Sequence, residues 1–165
     1  MTHLDHGFTA RLVWEGNTGQ GTADYAGYGR GFRIEVAGKP EFGGSAAPMF
    51  RGEADRHNPE DLFLASLAAC HMLFYLALCA RHGLRVLAYQ DDVRGLLRLR
   101  PEGGGRFETI DLCPCVELAP GGDEALALQL HEVAHEQCFI ANSCSVAVRH
   151  TATINTASSG ERTPR

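Results

Sequence analysis

Residues 58–84, NPEDLFLASLAACHMLFYLALCARHGL, decide how this chain is built. Asn58 suits a helix N-cap, Pro59 the first helical position, and Glu60 and Asp61 the positive end of the helix dipole. Gly83 suits the stop, so a helix is expected from Pro59 to about Arg81. The segment is apolar enough for a core, yet it carries Glu60, Cys70, His71 and Cys79. Ser66 and His71 interrupt its apolar run, and a membrane span needs roughly 20 cleaner residues. A buried core helix with no membrane partner is therefore expected.

Outward from this helix the pattern changes period. Residues 8–15 and 19–28 read as a hairpin around EGNTGQG, and GFRIEVAGKPEFGG adds another strand and turn. A polar connector, residues 45–57, leads into the helix. Beyond it, residues 84–122 read as strand, turn and strand, with PEGGG at the hairpin tip. DEALALQLHEVAHEQC is a second helix capped near Gly122 or Asp123, and SCSVAVRHTATINT is a closing strand of period two. Strands segregated from helices imply an α+β class rather than a parallel βαβ sheet. One domain, residues 1–155, and a flexible C-terminal tail, residues 156–165, are expected.

Composition narrows the function. The 165 residues carry 15 basic and 20 acidic side chains, a net charge of −5, which offers no broad attraction to nucleic acid. The N-terminal residues lack an apolar signal region, so a cytoplasmic location is expected. Six cysteines in a chain of this size, without a signal, read as free thiols rather than a disulfide scaffold. Cys113 and Cys115 are too close for a zinc pair and have no partner pair at ligand spacing, so no metal or bound cofactor is expected.

Two motifs carry the chemistry. The first is NPEDLFLASLAACH, in which Cys70 follows Glu60 by ten residues. The second is HEVAHEQCFIANSC, a helix that ends in Cys138 and a short polar turn. Together they resemble the OsmC/Ohr family of osmotically inducible and organic hydroperoxide resistance proteins, here in a divergent OsmC-like branch. The resemblance covers most of the chain. It implies antiparallel sheets wrapped around two central helices in an intertwined homodimer. It also implies a cysteine-based peroxidase for organic hydroperoxides, with Cys70 as the peroxidatic thiol, Cys138 as the resolving thiol and Glu60 as the active-site glutamate. The matching arginine is Arg51, close to its place in the OsmC branch, or Arg30, nearer the Ohr position; Arg51 is preferred. An external dithiol, of lipoyl type, would return the disulfide to thiols. The chain departs from the family at Phe139, where proline is usual, and at His71, where an aromatic is common. Those departures sustain a second reading, a non-catalytic protein that binds an apolar small molecule or senses thiol stress.

The physical chemistry agrees with the resemblance and constrains it. A thiol reacts as its thiolate, which a nearby arginine favours, and a glutamate holds such an arginine by a charge-assisted fork. Ten residues of unbroken α-helix, however, span about 15 Å and turn through about 280°. Glu60 and Cys70 of one chain then cannot meet. Either the helix breaks, or the glutamate serves the cysteine of a second subunit, and the small residues of ASLAA would let another helix approach. Cys79, Cys113 and Cys115 are expected to be passive, and Cys144 to pack as the last strand starts. His71 is expected as a hydrogen-bonded core residue or a tuner of the thiolate. His131 and His135, four residues apart, are expected on a solvated helix face.

Overall fold

A computed structural model describes residues 5–158 of the chain. By internal contacts the chain falls into two compact units, Met1–Phe63 and Leu64–Arg165.

In the first unit, strands β1 (Arg11–Trp14), β2 (Phe32–Glu35) and β3 (Phe42–Gly44) form an antiparallel sheet in the order β1-β2-β3. The expected hairpin partner of β1, residues 19–28, is instead a run of turns and bends, and β1 pairs with β2. The loop between them closes on itself. Trp14 Nε1 donates to the Gly29 carbonyl at 2.9 Å, and Asn17 Oδ1 accepts from the Gly19 and Gly21 amides at 2.9 and 3.0 Å. Gly19 and Gly21 both have positive φ, which an extended strand excludes. Arg33 ties β2 to its surroundings through Glu15, Glu35 and Glu41.

Helix α1 (Pro59–Arg81) runs without a break, so the first of the two solutions for Glu60 and Cys70 is not the one adopted. Its start is a reciprocal box: Asn58 Oδ1 accepts from the Asp61 amide at 2.9 Å, and Asp61 Oδ2 from the Asn58 amide at 3.2 Å. Its end is a left-handed Gly83, φ 75°, after which the Leu84 amide returns to the Cys79 carbonyl at 2.9 Å. Leu67, His71, Tyr75, Leu78 and Cys79 are buried, one stripe at helical spacing. Ala65, Ala69, Leu73 and Ala77 form an exposed stripe. By length and composition α1 could cross a membrane, yet only 28% of its most apolar window is buried within this chain.

The second unit is a long ribbon bent into two sheets. Strands β4 (Val86–Asp91) and β5 (Arg94–Leu99) continue one another, as do β6 (Gly105–Leu112) and β7 (Pro114–Leu118), with the hairpin tip between β5 and β6. The single strands expected here are interrupted at Asp92 and Val93, and at Cys113, whose amide donates to Asp91 Oδ1 at 2.7 Å instead of to a neighbouring strand. The closing segment breaks likewise, into β8 (Ala147–His150) and β9 (Thr153–Thr156). The orders are β4-β7-β9 and β5-β6-β8, with β8 and β9 parallel to their neighbours, so these sheets are mixed rather than antiparallel throughout. Thr156, placed in the expected tail, closes β9, and residues 159–165 lie outside those described. Helix α2 (Glu124–Gln137) starts at Asp123, whose Oδ1 accepts from the Leu126 amide at 3.0 Å. Ala127, Leu130 and Ala134 of α2 share one core with Tyr75, Leu78 and Cys79 of α1 and Val116 and Leu118 of β7.

The α1 cap sets where the helix begins. Asn58→Ala is expected to lower unfolding stability by about 1 kcal/mol, read as a shift in the urea midpoint at unchanged slope.

Candidate thiol site

The end of α2 builds the site. Cys138 leaves the helix in an extended conformation, φ −66° and ψ 109°, and starts a single further turn, α3 (Phe139–Asn142). Asn142 Nδ2 donates to the Glu136 carbonyl at 2.8 Å, and Ser143 Oγ to the Phe139 carbonyl at 2.7 Å, so both polar residues satisfy backbone groups of the turn. This places the Cys138 thiol inside, 1% exposed, and near enough to the thiol of half-buried Cys70 from α1 that each affects the other's proton. Burial pushes Cys138 up to about 11, and the Cys70 contact adds to the rise, while the Ala141 and Ile140 amides oppose it. Cys138 is thus a protonated thiol at neutral pH. Two free thiols in contact can exchange two electrons for a disulfide.

Residues of the first unit hold the other candidates. Arg30 packs over the rings of Tyr28 and Tyr25, 3.9 and 4.6 Å from their centroids, and donates to both backbone carbonyls. Arg51 lies 5.9 Å from the same Tyr25 ring, so the two alternatives flank one aromatic. Arg51 has φ 66°, a left-handed conformation that costs a non-glycine residue energy. Glu60 has a buried carboxylate oxygen without a hydrogen-bond partner. Among the described residues, neither arginine pairs with Glu60.

The histidines form the unexpected part of the site. His71 and His131 are both buried, and His71 Nε2 meets His131 Nδ1 at 3.0 Å. Their planes differ by only 7° with centroids 5.3 Å apart, so the rings meet edge to edge in nearly one plane. His71 is thus a hydrogen-bonded core residue. His131 is not on the solvated face expected of it: it lies on the same side of α2 as buried Ala127, Leu130 and Ala134. That apolar spacing is the signal in the sequence that points it inward. His150 packs against His71 and His135 at 5.4 and 5.1 Å between centroids, and its Nε2 reaches Glu132 at 3.4 Å.

The remaining cysteines are separate. Cys79 is core, Cys115 Sγ accepts from Asn155 Nδ2 at 3.4 Å, and Cys144 donates to the Ala141 carbonyl at 3.2 Å, just past α3 rather than in a strand. Leu67, one turn before Cys70 on α1, is fully buried. Phe74 and the 70% exposed Phe139 meet edge to face at 4.8 Å.

This arrangement can be set beside known proteins. The family profile described as OsmC-like protein matches residues 52–153, from within the connector through α1, β4 to β8 and the α2–α3 junction. The chain belongs to the OsmC-like family. An OsmC-like protein of unknown function from Vibrio cholerae is 26% identical, with a TM-score of 0.79 over 90% of this chain and all of that one. An organic hydroperoxide resistance protein from Elizabethkingia anophelis is 19% identical, with a TM-score of 0.68 over 94% of this chain and all of its own. The organic hydroperoxide resistance protein of Bacillus subtilis shares the fold at 22% identity and a TM-score of 0.57, over 90% of this chain and 98% of that one. No curated protein matches the sequence.

The buried imidazoles make stability depend on pH. Burial, together with neighbouring histidines, lowers His71 to about 4 and His131 to about 3. In the unfolded chain both return toward about 6.5, so between these values the unfolded state binds more protons. Their contribution is complete above about 6.5 and is lost as pH falls below it. Urea unfolding at pH 7 and pH 5 is expected to show a loss on the order of 4 kcal/mol, about half from each imidazole, reduced in the double variant His71→Gln/His131→Asn.

Proposed function

We propose that this OsmC-like protein is a thiol peroxidase for organic hydroperoxides. The observation that carries the reading is the nearness of the Cys70 and Cys138 thiols, the second buried at the end of α2. In the first step the Cys70 thiolate attacks the distal peroxide oxygen; the O–O bond breaks, the alkoxide leaves and takes a proton as the alcohol, and Cys70 becomes a sulfenic acid. Cys138 then gives up its proton and attacks the sulfenic sulfur, releasing water and forming the disulfide. An external dithiol, of lipoyl type, exchanges with that disulfide and restores both thiols. Burial of Cys138 supports this order, because the protonated thiol waits until a more electrophilic sulfur is opposite it. The edge-to-face pair of Phe74, one turn after Cys70, and Phe139, next to Cys138, supports an alkyl peroxide over hydrogen peroxide.

Arg51 is the preferred activating arginine. Arg30 is already committed to two rings and two carbonyls, whereas Arg51, among the described residues, pairs with no carboxylate and sits in a conformation that costs energy to hold. Glu60 acts on a second copy of the chain. The continuous α1, the unpartnered oxygen of Glu60 and the exposed stripe of Ala65, Ala69, Leu73 and Ala77 all support a homodimer in which α1 is covered by its partner. The protein works in the cytoplasm, where its cysteines remain reduced between turnovers.

Peroxide consumption tests the chemistry. With cumene hydroperoxide and dihydrolipoamide, Cys70→Ser is expected to consume none above background, and Arg51→Met to be slowed on the order of 100-fold with Arg30→Met only mildly affected. One equivalent of peroxide should remove two thiols per chain, reversibly. Unchanged thiols would favour the binding or sensing protein instead. In sedimentation at micromolar concentration a dimer is expected, and a stable folded monomer would contradict the shared site.

A further inference from the structure

We propose that the hydrogen bond between His71 and His131 is a positioning device that sets Cys70 opposite Cys138. The proposal takes the thiol pair of the peroxidase reading as the reacting centre, but it does not depend on peroxide being the oxidant.

His71 follows Cys70 on α1, and His131 lies two turns before Cys138 on α2. The two helices therefore meet through a nitrogen–nitrogen hydrogen bond, next in sequence to one member of the neighbouring thiol pair. The apolar contacts between them, Tyr75, Leu78 and Cys79 against Ala127, Leu130 and Ala134, are non-directional and tolerate small rotations of α1 about its axis. A disulfide does not tolerate them, because its sulfur and Cβ geometry is narrow. An in-plane hydrogen bond of 3.0 Å supplies the missing direction. Its orientation is fixed in turn: Tyr75 stacks on the His131 ring at 3.7 Å and 11°, and His150 flanks both rings.

The arrangement is costly as a mere packing solution. Among the described residues, His71 Nδ1 and His131 Nε2 are buried with no hydrogen-bond partner. Two leucines of similar volume would avoid that penalty, since replacing both partners of a buried polar pair by apolar groups is often neutral or stabilising. A polar pair kept at such a place, one residue from Cys70, is accounted for by what it aligns. Because the two ring nitrogens point at each other, one proton lies between them.

The test is the equilibrium of the reduced protein with glutathione disulfide at pH 7, in which two protein thiols become Cys70–Cys138 disulfide and one glutathione disulfide becomes two glutathione molecules. The double variant His71→Leu/His131→Leu is expected to stay folded with undiminished urea stability, yet to shift this equilibrium toward the dithiol by about tenfold, equivalent to about 30 mV. His131→Asn, whose amide occupies the place of Nδ1, is expected to remain within about threefold of the parent. A folded double-leucine variant with the parent's equilibrium would overturn the proposal, as would an asparagine variant as impaired as the leucine pair. Should the leucine pair not fold, His131→Gln, which carries its amide one methylene too far, takes its place with the same two outcomes. A parent protein that pairs its thiols but consumes no peroxide would defeat the peroxidase reading alone.

Discussion

The unbroken rotation of α1 is the constraint on which the rest depends. Each residue turns the helix by about 100°, so Leu67, His71, Tyr75 and Leu78 fall on one side and Ala65, Ala69, Leu73 and Ala77 on another. The inward side meets α2 and β7, and Cys70, between the two, is half-buried and reaches the Cys138 thiol. Had the helix kinked, Glu60 could have turned toward its own Cys70. Because it does not, one oxygen of its carboxylate stays buried without a hydrogen-bond partner among the described residues.

Much of this framework is legible in the sequence, for local reasons. Asn58, Asp61 and Gly83 act through groups within a few residues of themselves, so the residue types alone place both ends of α1. The same holds for Asp123 and for the glycine-rich tip between β5 and β6. What cannot be read this way depends on distant partners. Residues 19–28 resemble a strand, and only the closure of their loop on Trp14 and Asn17 leaves β1 to pair with β2 instead. The bends at Cys113 and after Asp91 follow from a side chain on one strand taking the amide of another.

The site divides in the same way. The cysteine at the end of α2 announces itself through its polar turn, and the thiol contact follows from the meeting of two helices. The four-residue spacing of His131 and His135 does not by itself say which way they face. The apolar residues at 127, 130 and 134 define the inward side, and His131 falls on it. Spacing cannot resolve the arginine either, since Arg30 precedes β2 and Arg51 follows β3, yet both converge on Tyr25.

One further consequence lies in the path of the chain between the two thiols. From Cys70 to Cys138 it passes through the rest of α1, all four strands of the bent ribbon and the whole of α2. A bond between these sulfurs would close a loop of about 70 residues and remove on the order of 4 kcal/mol of freedom from the unfolded chain. The oxidised protein would then be harder to unfold and degrade than the reduced one. Turnover of the polypeptide itself would be tied to the supply of reductant, with molecules awaiting reduction outlasting those already restored.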